Sequence, residues 1–227
     1  FFFKQKTAYE ISTRDWSSDV CSSDLKIPVT DYGAGSVIGN QHEKVISRIA
    51  RYSLKSPRYA GLLHRLVQYF KPTQIVELGT SFGITTAYLA HANRAAKIYT
   101  IEGAPVIADM AKEYFQSQGL SNIATVTAKF ESALPLLREQ GVQPDFVFID
   151  GHHTYDATLR YFSMVADWVN ESALIMLDDI HWSEEMEKAW EDIRRHPKVT
   201  LTIDLFFIGL VFMRKEQLIV QHFKLRY

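Results

Sequence analysis

Cysteine is all but missing from the 227 residues, with Cys21 standing alone. A single thiol closes no internal disulfide, so nothing calls for an oxidising compartment. An excess of one charge is missing too, with 25 Lys+Arg against 26 Asp+Glu. A dedicated nucleic-acid binder would show a basic surplus, so no nucleic-acid partner is expected. There is no long apolar run. The longest, Leu205–Met213, is interrupted by Gly209 and falls far short of the ~20 residues that span a bilayer. What is present is ordinary for a globular chain: 47% hydrophobic and 22% charged residues. That balance excludes a disordered or fibrous protein, and the length suits one domain with a sizeable core.

The first 25 residues have no initiator Met, no apolar h-region and no hydrophobic period, so they do not read as a signal peptide. Lys4–Ile11 and Asp15–Leu25 resemble the translation of common sequencing-adapter DNA, with Ser12–Arg14 where a variable index would sit. Residues 1–25 are therefore expected to be non-native and disordered, Cys21 among them, and the natural chain to begin at or before Lys26. Three basic and four acidic residues fall in this stretch, so the remainder is formally neutral. A cytoplasmic setting is expected.

Beyond residue 25 the apolar pattern alternates between periods. Ser56-Pro57 reads as a helix start, with Leu62, Leu63, Leu66, Val67 and Phe70 at helical spacing and Pro72 as the stop. Gln74–Leu78 is a short apolar strand running into a glycine loop. Lys97–Ile101, Ile123–Thr127, Phe146–Ile149 and Ala173–Leu177 are further strands, with helices between them. Apolar strands joined by crossover helices predict an α/β fold, Rossmann-like, with a mostly parallel sheet covered on both faces. Too few residues separate Val199–Ile203 from Phe207–Met213 for a crossover helix, so an antiparallel hairpin is expected to finish the sheet, with Leu218–Lys224 as a further strand. Residues 26–72 are expected to form an N-terminal helical cap and 73–227 the main domain.

In such a sheet ligands bind outside the carboxyl ends of the strands. There the sequence reads Glu77-Leu78-Gly79-Thr80-Ser81-Phe82-Gly83. Two glycines allow close backbone approach at a helix N-terminus. The dinucleotide pattern G-x-G-x-x-G is absent, and an acid two residues before the first glycine suits a cationic ligand better than a pyrophosphate. Glu102 follows at about the distance at which an acid grips ribose hydroxyls. Val29–Ser36 also looks like a strand and glycine loop, but no strand with an acid follows it; it reads as a turn in the N-terminal segment ahead of a helix over His42–Leu54.

These motifs resemble the class I S-adenosylmethionine-dependent methyltransferases: IVELGTSFG is similar to the family's first motif and YTIEG to its second. The resemblance implies a seven-stranded sheet with an antiparallel last strand. It also implies S-adenosylmethionine as cofactor, held by Glu77, Gly79, Thr80, Ser81 and Gly83 with Glu102 on the ribose. Phe130, after the third strand, could pack on the adenine, though the acid often found there is displaced or absent.

The fourth and fifth strands end in Asp150-Gly151-His152-His153 and Asp178-Asp179-Ile180-His181-Trp182. A parallel sheet brings both ends to one edge, where three carboxylates would repel one another. A hard divalent cation relieves that, and Mg²⁺ takes carboxylates plus waters. Asp150 satisfied by a backbone amide and Asp179 capping a helix are the structural alternatives. The cluster resembles that of the catechol-type, cation-dependent O-methyltransferases, whose Asp, Asp and Asn fall at Asp150, Asp178 and Asp179; DGHHTYD followed by LDDIHW resembles the wider DGxHxY group. That implies Mg²⁺ or another divalent cation on Asp150, Asp178 and Asp179, with Asp150 also lining the cofactor site. His153 and His152 are the candidate bases, and His181 a further one. Trp182 and Trp190 are expected in the core.

The function expected is metal-assisted O-methylation of a small-molecule or sugar hydroxyl. A metal-dependent hydrolase or hydroxylase, a nicotinamide enzyme and a non-catalytic binding protein are the rivals. The acceptor is not legible, and nothing fixes the oligomeric state, for which a homodimer is one expectation.

Overall fold

The structure is a computed structural model, and it describes residues 16–28 and 43–227. The Val29–Ser36 loop therefore lies outside the described residues. The described chain opens with a helical stretch, α1, over 16–22. A two-stranded antiparallel ribbon follows, made of β1 (Lys26–Pro28) and β2 (Glu43–Val45). Then come α2 (Ile46–Ser53) and α3 (Pro57–Phe70), so the helix expected over 42–54 is β2 followed by α2.

Strand and helix then alternate: β3 (Gln74–Leu78), α4 (Ile84–Ala92), β4 (Lys97–Glu102), α5 (Pro105–Ser117), β5 (Ile123–Thr127), α6 (Phe130–Glu139), β6 (Phe146–Ile149), α7 (Tyr155–Ala166), β7 (Leu174–Asp178) and α8 (Glu184–Arg194). β8 (Leu201–Asp204), β9 (Ile208–Phe212) and β10 (Gln221–Lys224) close the chain. The main sheet runs β10-β8-β9-β7-β6-β3-β4-β5. β9 inserts antiparallel between β7 and β8, as the short connection requires. The sheet has eight strands rather than seven, because β10 adds parallel to β8 at the edge.

Period-two alternation builds both layers of the core. Val76, Val147, Ile149, Ile175 and Leu177 face α6, α7 and α8. Ile75, Phe146, Phe148, Leu174 and Met176 face α3, α4 and α5. Local signals mostly hold. Pro57 opens α3, and Lys71 ends it in the left-handed region with its N–H on the Val67 carbonyl. Ser56 occupies the cap position but makes no side-chain cap bond. At α8 the Ser183 hydroxyl accepts the Met186 N–H at 3.2 Å, and Glu184, Glu185 and Glu187 sit in the first turn, where the helix dipole favours them. Trp190 is buried as expected and fills the space that Gly209 leaves open in β9. Trp182 is not in the core: it is 63% exposed, because it lies in the loop before the Ser183 cap.

Within the stretch expected to be disordered, the described residues 16–25 pack against the domain. Val20 is buried with Ile27, Ile46 and Ile107. Trp16 stacks on Tyr114 at 5.0 Å and donates to the Phe82 carbonyl at 2.9 Å. An aromatic ring and a valine on one helix face are enough to dock a short segment on an apolar surface, whatever its origin.

The strand order reverses between β3 and β6, which defines the switch point of the sheet. The two strand ends are pressed together there: the Asp150 N–H donates to the Leu78 carbonyl at 2.9 Å. A Cβ on Gly79 would stand 1.9 Å from the Asp150 carbonyl oxygen, and Gly79 has φ +105°. Gly79→Ala is expected to cost about 3 kcal/mol of unfolding free energy in urea denaturation. Gly119→Ala, at φ +62° with open space around it, should cost about 1 kcal/mol. Equal losses would remove the close-approach argument.

Candidate active site

The carboxyl edge of the sheet gathers the glycine loop, the end of β4, and the loops after β6 and β7. Glu77 is fully buried on β3. Its Oε2 accepts from the hydroxyls of Thr100 at 2.6 Å and of Thr86, and Thr80 lies 2.6 Å from Thr100. Burial pushes its carboxyl up to about 8, against the opposing pull of the two threonine hydrogen bonds. Its Oε1 is buried without a partner among the described groups. A buried oxygen left unpaired in this way has hydrogen-bonding capacity to offer a ligand.

Glu102 ends β4 beside the glycine loop. Its Oε2 accepts the Ser81 N–H and its Oε1 the Ala104 N–H, both at 2.9 Å. Ser81 takes φ +47° to make that turn, and its hydroxyl donates to Ser53 at 2.9 Å. Gly83 has a packing reason to be glycine, since a Cβ there would meet the Phe115 ring at 2.5 Å. The glycine loop, the buried Glu77 and Glu102 thus lie together at the end of β3 and β4.

Phe130, His152 and Tyr161 form a separate aromatic group. Phe130 lies 5.6 Å from the His152 ring and 5.2 Å from Tyr161. The Tyr161 hydroxyl donates to Glu131 at 2.6 Å, so toward its contact with His152 Nδ1 it acts as acceptor. Burial and the Glu131 carboxylate raise the Tyr161 hydroxyl above its usual range. His152 is thereby held among the rings of Phe130 and Tyr161.

His153 turns the other way. Its Nε2 is 3.6 Å from Asp150 Oδ1. Asp150, His153 and Asp178 each offer one ligand atom, and the three lie within 4.8 Å of one another. The sequence placed Asp179, not His153, beside the two aspartates. The structure gives Asp179 φ +54° and uses its carbonyl to accept the Trp182 N–H at 3.0 Å, and Asp179 offers no atom to this group. A set of two carboxylates and an imidazole fits a divalent cation in kind. His181 is not available as a base: Nε2 is 2.8 Å from Asp204 and Nδ1 is 3.1 Å from Glu187.

One residue escaped the sequence reading. Lys55, in the short connection between α2 and α3, puts its ammonium 3.2 Å from Asp150 and in direct contact with Asp178 Oδ2. Burial works against its charge, but Asp150, Asp178 and Asp179 outweigh it and hold the ammonium protonated. Asp150 is depressed to about 2: burial would raise it, and Lys55 and His153 more than compensate. Asp178 is raised by burial and by Asp150 despite Lys55, so it is the carboxyl that protonates first. A lone lysine between Leu54 and Ser56 carries no motif that could have announced this.

The fold is the Rossmann-like α/β fold with a mostly parallel sheet and an antiparallel hairpin at its end. Residues 76–180 match the family model described as a methyltransferase domain. The chain is similar to a catechol O-methyltransferase of Niastella koreensis, 30% identical over 128 residues, covering 55% of this chain and 57% of that protein. It is also similar to a Lactococcus lactis protein named an uncharacterized RNA methyltransferase, YljE, 29% identical over 107 residues, covering 46% of this chain and 23% of that one. The chain thus spans less than two thirds of either relative. Among solved structures, an O-methyltransferase from Bacillus cereus in complex with SAH superposes with a TM-score of 0.62 at 22% identity, over 71% of this chain and 83% of that one. At that identity the likeness speaks for the fold. Among the described residues no helix is long and apolar enough to cross a membrane.

The buried Glu77 generates a pH signature. The unfolded chain ionises it near 4.5 and the folded protein near 8. Between those values the folded state holds the extra proton, so stability falls as pH rises through the window and levels off above it. Measured without ligand, wild type should lose stability relative to Glu77→Gln by on the order of 1 kcal/mol per pH unit between about pH 5 and 8. Parallel pH profiles for the two proteins would contradict this.

Proposed function

We propose that this protein transfers a methyl group from S-adenosylmethionine to a hydroxyl oxygen of a small-molecule acceptor, sugar hydroxyls included. The observation that carries the reading is the glycine loop at the switch point, with Glu77 and Glu102 behind it and His153 and Asp150 across from it. S-adenosylmethionine, when bound, supplies a methyl group activated at a sulfonium centre. The residues of the chain do the rest. Gly79, Thr80, Ser81 and Gly83 form the wall against the methionine portion, and Glu77 accepts from its ammonium. Glu102, held by two backbone amides, presents its carboxylate to the ribose hydroxyls. Phe130 offers a ring to the adenine.

His153 takes the acceptor proton as the oxygen–methyl bond forms. Asp150 stabilises the imidazolium that results. His152 supports the loop through Tyr161 and Glu131 rather than sharing the chemistry. Most of the acceleration in an in-line displacement of this kind comes from orientation. The similarity to a catechol O-methyltransferase supports oxygen as the acceptor atom.

A metal-assisted form is favoured by one observation, the clustering of Asp150, His153 and Asp178. Mg²⁺ or another divalent cation held there would polarise the acceptor oxygen. That form commits His153 to the metal, so His153 cannot then also be the base.

Calorimetric titration of the full chain with S-adenosylmethionine tests the reading. Glu102→Ala is expected to weaken binding by about tenfold or more, as loss of a charge-assisted hydrogen-bonding group should. His153→Ala is expected to leave that affinity intact and lower kcat by about 10²–10⁴ on any accepted acceptor. Absence of binding by the wild-type chain would overturn the proposal.

A further inference from the structure

Two buried carboxylates that approach each other need a positive charge between them. In this protein Lys55 already delivers one. Its Nζ touches Asp178, which is 2% exposed, and lies 3.2 Å from Asp150. The lysine side chain itself is only 15% exposed, so this is not a loose surface pair.

The backbone that presents Lys55 is built for the task. α2 ends at Ser53, and Leu54 is extended with its N–H on the Ala50 carbonyl at 3.0 Å. Ser56 precedes Pro57 and is extended as well, as a residue before proline must be. Lys55 therefore sits between two extended residues in the short connection between the helices. Ser53, two residues earlier, is hydrogen-bonded to Ser81 of the glycine loop. The connection is thus anchored to the site at two independent points.

We propose that Lys55 is the resident cation of this site. Its ammonium fills the place between Asp150 and Asp178 that a divalent metal would require, so lysine and metal are alternatives for one carboxylate pair, and a metal binds only when Lys55 withdraws. This goes beyond the methyltransferase reading and does not depend on it. The arrangement also has a chemical merit. With the ammonium balancing the two aspartates, His153 is not drawn into a coordination shell and keeps its imidazole for a proton.

The test is Mn²⁺ titration of the full chain by calorimetry, with no methyl donor or acceptor present. Wild type, Lys55→Met and Lys55→Gln are compared. Both neutral variants are expected to bind Mn²⁺ about tenfold tighter than wild type or better. Adding Asp178→Asn to either should erase the gain. A lysine with a merely structural role would not raise metal affinity when removed. Equal or weaker Mn²⁺ binding in the neutral variants overturns the proposal, as does a gain that survives Asp178→Asn. If the neutral variants are unstable alone, their Tm with and without Mn²⁺ decides the matter. A metal-dependent rise absent from wild type is expected, and no rise overturns the proposal. Failure of the methyltransferase reading would appear as lost S-adenosylmethionine binding and leaves these outcomes unchanged.

Discussion

Everything at the carboxyl edge of this sheet is arranged around the neutralisation of Asp150 and Asp178. Parallel neighbours β6 and β7 deliver the two side chains to the same rim, and the surrounding core takes them out of water. Uncompensated, either charge would cost several kcal/mol. Compensation comes from a residue outside the sheet, Lys55, so the domain is complete only with the helices that precede it. Asp150 consequently has three connections. Its backbone holds β6 to the end of β3, both of its carboxylate oxygens meet Lys55, and Oδ1 also faces His153.

The same economy governs the glycine loop. Gly79 and Gly83 are required by neighbours inside the protein, the Asp150 carbonyl and the Phe115 ring. Those close approaches are what leave Ser81 in its left-handed turn, with its N–H aimed at Glu102. A loop that looks shaped for a ligand is thus first shaped by packing. The ligand-facing groups follow as a result, with the buried Glu77 behind them retaining an oxygen that no described group satisfies.

Most of the fold was legible because strands and helices here obey their periods. Phe146–Ile149 and Ile123–Thr127 end where the apolar run ends, and the hairpin of β8 and β9 follows from a connection too short for a crossover. The glycine loop at the end of β3 was legible because its residues are adjacent in sequence. What was missed is long-range or conformational. Lys55 lies 95 residues from Asp150 in sequence, and lysine spacing carries no trace of that contact. The exchange of Asp179 for His153 in the donor group depends on φ at Asp179 and His153, which residue type does not encode. Trp182 falls at helical spacing with Met186 and Trp190, yet it precedes the Ser183 cap and stands exposed. Residues 16–25 looked featureless, yet Trp16 and Val20 suffice to seat them.

The tripeptide carrying Lys55 also sets where this chain can vary in length. β10 is exposed throughout at a sheet edge, where added residues would extend into solvent. Between Ser53 and Pro57 there is no such slack. One residue more or fewer would carry Lys55 away from the two carboxylates it now touches. The helices before the sheet and the sheet itself are therefore tied to a common gauge, and changes of length in the one must be matched by the other.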